Sequence, residues 1–93
     1  MEIEPMKTSF ITTVFNEEKT IKKFLDSLYE QSVLPDEIVI VDALSTDRTA
    51  TLIQEYFDQH PEIPNKLIVK LSNRAAGRNE AIQHASGNII LCS

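Results

Sequence analysis

The 93-residue sequence is short of cysteine, glycine and positive charge, and each shortage closes off a class of protein. Cys92 is the single cysteine, so no disulfide can form within the chain, and a reduced, cytoplasmic setting is the simpler expectation. With no histidine nearby to activate a thiolate, Cys92 is expected in the core. The two glycines, Gly77 and Gly87, cannot build a Gly-x-Gly-x-x-Gly turn or a Walker loop, which excludes dinucleotide and P-loop binding of that kind. Nine Lys and Arg against fourteen Asp and Glu leave a formal charge of −5 with no basic cluster. Nucleic acid and anionic lipid are therefore disfavoured as partners, and a bound phosphate has to be met by individual cations. No apolar run approaches the roughly 20 residues that cross a bilayer. The first residues, Met-Glu-Ile-Glu-Pro-Met-Lys, lack the basic start and apolar core of a signal peptide. His60 and His84 are expected on the surface, and neither sits in a metal-ligand cluster.

What is present describes one ordinary globular domain, 42% hydrophobic and 25% charged. Residues 1–7 read as a frayed, flexible arm. From Thr8 a run rich in β-branched and aromatic residues predicts a first strand, closed by Asn16 as a helix N-cap. Ile21, Phe24, Leu25, Leu28 and Tyr29 recur at helical spacing opposite Lys19, Lys22, Lys23, Asp26 and Glu30, predicting an amphipathic helix of about four turns. Ile38-Val39-Ile40-Val41-Asp42 predicts a second strand, and Ser45, Thr46 and Asp47 offer caps for a helix carrying Ala50, Ile53, Tyr56 and Phe57 inward. Lys66 to Leu71 is a third apolar segment. A helix with Ala81, Ile82 and Ala85 inward follows, Gly87 suits the left-handed position after it, and Asn88 to Ser93 reads as a fourth strand. Alternating strands and helices with short loops predict a parallel α/β sheet covered by helices. The last strand reaches Ser93 with no loop after it, so a truncated chain is expected.

In such a sheet ligands bind beyond the carboxyl ends of the strands. Thr13 to Glu17, Asp42 to Asp47 and the loop from Ser72 into Arg78 gather there. A carboxylate such as Asp42 can accept hydrogen bonds from a base N–H or from ribose hydroxyls, which is nucleoside recognition, and Arg78 can grip phosphate oxygens with two parallel N–H bonds. Taken alone, Asp42 reads as well as a loop acid that ends a strand and caps the next helix. Glu17 and Glu18 equally suit a helix start with no ligand present. Phe15, Tyr29, Tyr56 and Phe57 read as packing residues, with Phe15 an equal candidate for stacking on a base.

Three stretches together go further. Thr12-Thr13-Val14-Phe15-Asn16-Glu17-Glu18, then Val41-Asp42-Ala43-Leu44-Ser45-Thr46-Asp47-Arg48-Thr49, then Ala76-Gly77-Arg78-Asn79-Glu80-Ala81-Ile82 with Ala85-Ser86-Gly87, resemble the N-terminal half of a family 2 glycosyltransferase. The resemblance covers nearly the whole chain after residue 7. It implies a GT-A fold, a Rossmann-like three-layer sandwich with strand order 3-2-1-4, in which residues 8–93 form the nucleotide-sugar-binding half. It also implies that Thr13, Phe15 and Glu17 line a nucleoside pocket, that Asp42 holds the base or ribose, and that Arg78 lies near the base or diphosphate. Ser45, Thr46 and Asp47 would shape the loop. The implied ligand is a UDP- or GDP-linked sugar and the implied reaction is transfer of that sugar to an acceptor hydroxyl. A Mg or Mn ion is expected in the intact enzyme, with its ligands and the catalytic base beyond residue 93, so no residue of this chain is assigned to catalysis or to metal. Some members of the family add membrane helices.

Two positions depart from the family pattern. Where Val-Asp-Asp-Gly-Ser is usual, this chain has Ala43 for the second acid and Leu44 for the glycine. Two rivals are weighed beside the transferase. One is a non-catalytic Rossmann-like module that self-associates through a sheet edge or its truncated face. The other is a nucleotidyltransferase, disfavoured because Asn16-Glu17-Glu18 replaces the usual glycine-rich basic loop.

Overall fold

Ile38-Val39-Ile40-Val41 is apolar on both faces of a strand, so it has to lie inside a sheet that is covered on each side. The computed structural model describes residues 8–32, 34–71, 74–84 and 89–92, the backbone only for residues 74, 75, 77, 78 and 89–92. In it these four residues are fully buried within a strand, β2 (Glu37–Asp42). The chain runs β1 (Thr8–Val14), α1 (Ile21–Tyr29), β2, α2 (Thr49–Gln59), β3 (Asn65–Val69), α3 (Arg74–His84) and β4 (Ile89–Cys92). The strands are parallel in the order β3-β2-β1-β4. The chain is thus an α/β fold with helices packed on a parallel sheet.

Strand alternation sorts the core into two layers. Val14, Ile38 and Ile40 meet Ile21, Leu25 and Leu28 of α1 and Ile53, Tyr56 and Phe57 of α2 on one face. Ile11, Val39 and Val41 meet Ala81 of α3 on the other. Each buried aliphatic side chain contributes roughly 1.5–3 kcal/mol by leaving water. Tyr56 also ties the two helices of the first layer together, donating its hydroxyl to Asp26 Oδ1 at 2.8 Å.

Several local expectations give way. Asn16 is not a helix cap: its φ of 50° places it in the left-handed region, and α1 starts at Ile21. The intervening residues form a tight turn in which the Glu17 carbonyl accepts N–H bonds from both Thr20 and Ile21. This shortens α1 to nine residues rather than four turns. Ile82 is 42% exposed rather than inward, because only Ala81 of that pair faces the sheet. His60 is half-buried instead of superficial, its ring stacked on Tyr56 with centroids 4.1 Å apart and Nδ1 2.9 Å from the Tyr56 carbonyl oxygen. Phe15 is 53% exposed and belongs to neither core layer. Residues 1–7, Ala85, Gly87 and the side chain of Cys92 lie outside the described residues.

Candidate functional site

Pairing of β1 with β2 in register brings Val14 opposite Asp42, so the loops that follow leave the sheet side by side. The two loops fasten to each other. The Asn16 N–H donates to Ser45 Oγ at 2.8 Å, and Ser45 Oγ in turn donates to Asp42 Oδ1. The Glu17 N–H donates to Thr49 Oγ1 at 2.8 Å, and Thr49 Oγ1 donates to Asp47 Oδ1. Twice, then, a hydroxyl passes a hydrogen bond from a backbone amide of the first loop to a carboxylate of the second. Two further bonds close the clasp: Thr46 N–H to Asn16 Oδ1 at 2.8 Å and Glu18 N–H to Asp47 Oδ2 at 3.2 Å.

This clasp explains the left-handed Asn16. Asn tolerates that conformation better than most residues, and here its side chain also reaches the opposing loop. Asp47 caps no helix in the usual sense; it accepts the Thr49 N–H at 2.9 Å and holds the approach to α2. The Thr49 hydroxyl, followed by the amides of Thr49 and Glu18, keeps the Asp47 carboxyl below the ordinary carboxylate range against an opposing effect of desolvation.

Asp42 is only 1% exposed. Both its oxygens face Ser45, Oδ1 taking the hydroxyl and Oδ2 the N–H at 3.2 Å, while its carbonyl accepts from Leu44 and Lys70. A carboxylate has about four acceptor positions, and Ser45 occupies two of those of Asp42. Thr13 and Glu17 lie elsewhere on the same edge. Among the described residues β4 pairs with β1 only from Thr8 to Ile11, and β1 runs on to Val14. A pocket of about 320 Å³ lies there, lined by Thr12, Thr13, Val14, Glu17, Thr20, Ile21 and Phe24. The Thr13 hydroxyl oxygen is buried with no hydrogen-bond partner among the described residues.

The structure therefore brings Thr13 and Glu17 into one pocket, which Phe15 and Asp42 do not line, bonds Asp42 to Ser45, and leaves Phe15 exposed. Arg78 lies in α3 with its side chain outside the described residues. Sequence reasoning passed over Asn16 and Thr49 as partners across the loops. The signal was the spacing Asp-x-Thr at 47–49, which suits a side chain bonding its own backbone two residues on. Among the described residues no three His, Cys, Asp or Glu side chains converge, and no step is assigned to a metal ion.

A family model described as glycosyl transferase family 2 matches residues 9–93. A poly(ribitol-phosphate) beta-glucosyltransferase of Bacillus spizizenii is 33% identical over 92 residues, covering 92% of this chain and 14% of that protein. The mannosyltransferase PcManGT of Pyrobaculum calidifontis, solved with GDP-Man and Mn²⁺, superposes with a TM-score of 0.84 at 30% identity, over 94% of this chain and 26% of that one. Residues 1–349 of Staphylococcus aureus TarS, solved with UDP, superpose with a TM-score of 0.77 at 32% identity, over 95% and 27%. The chain thus spans well under a third of each of these relatives.

Proposed function

This chain belongs to glycosyl transferase family 2, and on that premise we propose that it is the nucleotide-sugar-binding half of a GT-A enzyme, gripping the nucleoside of a UDP- or GDP-linked sugar. The observation that carries this is the clasp between the two loops, which fixes a buried carboxylate, Asp42, at the edge where such sheets bind ligands. Asp42 offers acceptors to a base N–H or to ribose hydroxyls, Phe15 an aromatic face, and Thr13 with Glu17 a polar pocket beside them. Arg78 is proposed for the base or diphosphate. In the reaction of the whole enzyme, the acceptor oxygen bonds to the anomeric carbon of the donor sugar as the bond from that carbon to the diphosphate oxygen breaks. The nucleoside diphosphate leaves and a base takes the hydroxyl proton. We place that base, and the ligands of a Mg or Mn ion, beyond residue 93. Ser45 and Asp47 shape the loop and touch no donor.

Calorimetric titration of the chain and of Asp42→Asn with UDP and GDP tests the assignment. Binding by the parent that weakens at least tenfold in the variant is expected; equal affinity for both proteins removes Asp42 from the site. A second function, self-association, is favoured by Val69 and Leu71, 50% and 77% exposed at and just beyond the end of the edge strand β3. Light scattering separates the two: a stable dimer indifferent to nucleotide supports the second.

A further inference from the structure

Leu44 has a φ of 56°, a left-handed conformation that a residue with a branched hydrocarbon side chain adopts at a cost. Neither core layer among the described residues accounts for it. Leu44 is 46% exposed and belongs to neither core layer. Its N–H bonds to the Asp42 carbonyl at 2.9 Å in a three-residue turn that any residue could close, and a glycine would close it without strain. A strained residue that the core does not need points to a functional constraint.

The position says what the constraint is. Ala43 N–H bonds to the Val14 carbonyl on one side of it, and Asn16 N–H bonds to Ser45 on the other. Phe15 stands between Val14 and Asn16, as Leu44 stands between Ala43 and Ser45. The two therefore sit in the neighbouring turns that the clasp joins, both large, both apolar and both about half exposed, just beyond Val14 and Asp42. Two such side chains in adjoining loops at a sheet edge suit a flat ring with polar edges. We propose that Leu44 is a specificity-determining residue that covers the nucleobase of the donor from the side opposite Phe15.

This inference rests on the donor-site assignment above. It adds an apolar contact that a glycine at position 44 cannot make. Covering a ring face with a Leu side chain removes on the order of 50 Å² of apolar surface from water, equivalent to about a tenfold gain in affinity.

The experiment is calorimetric titration of the full chain and its Leu44→Gly, Leu44→Asn and Leu44→Met variants with UDP and with GDP, paired with thermal unfolding of each. Glycine and asparagine both relieve the backbone, so both variants are expected to unfold at higher temperature than the parent, which also shows that they fold. Both are expected to bind nucleotide five- to tenfold more weakly, while methionine, which keeps the apolar contact, stays within twofold. Leu44→Gly binding as tightly as the parent overturns the inference and leaves the donor site standing. Equal weakening in all three variants also overturns it, because apolar contact is then not what matters. A folded parent that binds neither nucleotide overturns the donor site and this inference together.

Discussion

At the scale of single residues, the edge of this sheet is decided by two backbone conformations and two hydroxyls. Asn16 and Leu44 both have positive φ, but only Asn16 is compensated, by its bonds to Thr46. Asn16→Ala is expected to lower stability by about 2 kcal/mol, adding the left-handed penalty of alanine to a lost hydrogen bond. Asn16→Gly, which keeps the conformation, should cost less than that, as chemical denaturation can measure. Leu44→Gly goes the other way. Relief of a 1–2 kcal/mol left-handed penalty exceeds the entropic cost of a new glycine, so a gain of about 0.5–1 kcal/mol is expected from the same measurement. Ser45→Ala strips Asp42 of its hydroxyl donor and Asn16 of its acceptor at once, and an expected loss of about 1–3 kcal/mol follows from leaving a buried carboxylate short of a partner.

At the scale of elements, carboxylates hold neighbouring segments together, and their titration sets an acid limit. Asp47 joins the loops, Asp26 joins α1 to α2 through Tyr56, and Glu80 joins α3 to Lys70 just after β3. All three titrate below their ordinary values: Asp26 chiefly through Lys22 and then Tyr56, Glu80 chiefly through Lys70, Asp47 chiefly through Thr49. A carboxyl lowered in the folded state contributes stability that is fully present above its unfolded value, near 3.8 for Asp and 4.5 for Glu, and lost as pH falls through the folded value. Unfolding midpoints should therefore fall below about pH 4.5, and Asp47→Asn should flatten that dependence. Tyr56→Phe should let the Asp26 carboxyl titrate closer to its ordinary value, as carbon-detected NMR can follow; an unmoved Asp26 would mean that Lys22 alone holds it down.

Much of this element pattern was legible in the residues. Ile38 to Val41 had to be a central strand because no one-sided strand is apolar at four successive positions, and the helical recurrence from Ile21 to Tyr29 left little choice of face. Misreadings occurred where one residue type serves two conformations. Asn before a helix is a good N-cap and is also a frequent left-handed residue; Asn16 is the second, because its side chain bonds the loop after β2 and not the helix that follows it. Leu44 concealed its turn for the opposite reason: a position with glycine's backbone carries a residue whose type signals nothing of it. Ile82 and Ala81 were both apolar at the same helix turn, and periodicity alone did not show that a single small residue suffices against Val39 and Val41.

For the whole molecule, the layer formed by α1, α2 and one sheet face carries most of the apolar burial among the described residues, and a chain of 93 residues has little stability in reserve. Ile53 is completely buried in that layer, so Ile53→Ala is expected to cost about 3–4 kcal/mol and to leave a substantial unfolded fraction at room temperature, visible by circular dichroism. The site hangs on this scaffold at one edge only. Loops that follow β1 and β2 are fastened to each other and to the centre of the sheet, which would preorganise the nucleoside site proposed above.

The central claim is that this edge binds the nucleotide of a sugar donor, and NMR titration of isotope-labelled chain with UDP and GDP, each with and without Mg²⁺ or Mn²⁺, tests it most directly. The account predicts saturable shifts centred on Glu17 and on Thr13, Phe15, Asp42, Leu44 and Arg78, those five moving most, and larger for one base than for the other. A well-dispersed spectrum that stays unchanged at those five residues through millimolar nucleotide would contradict it.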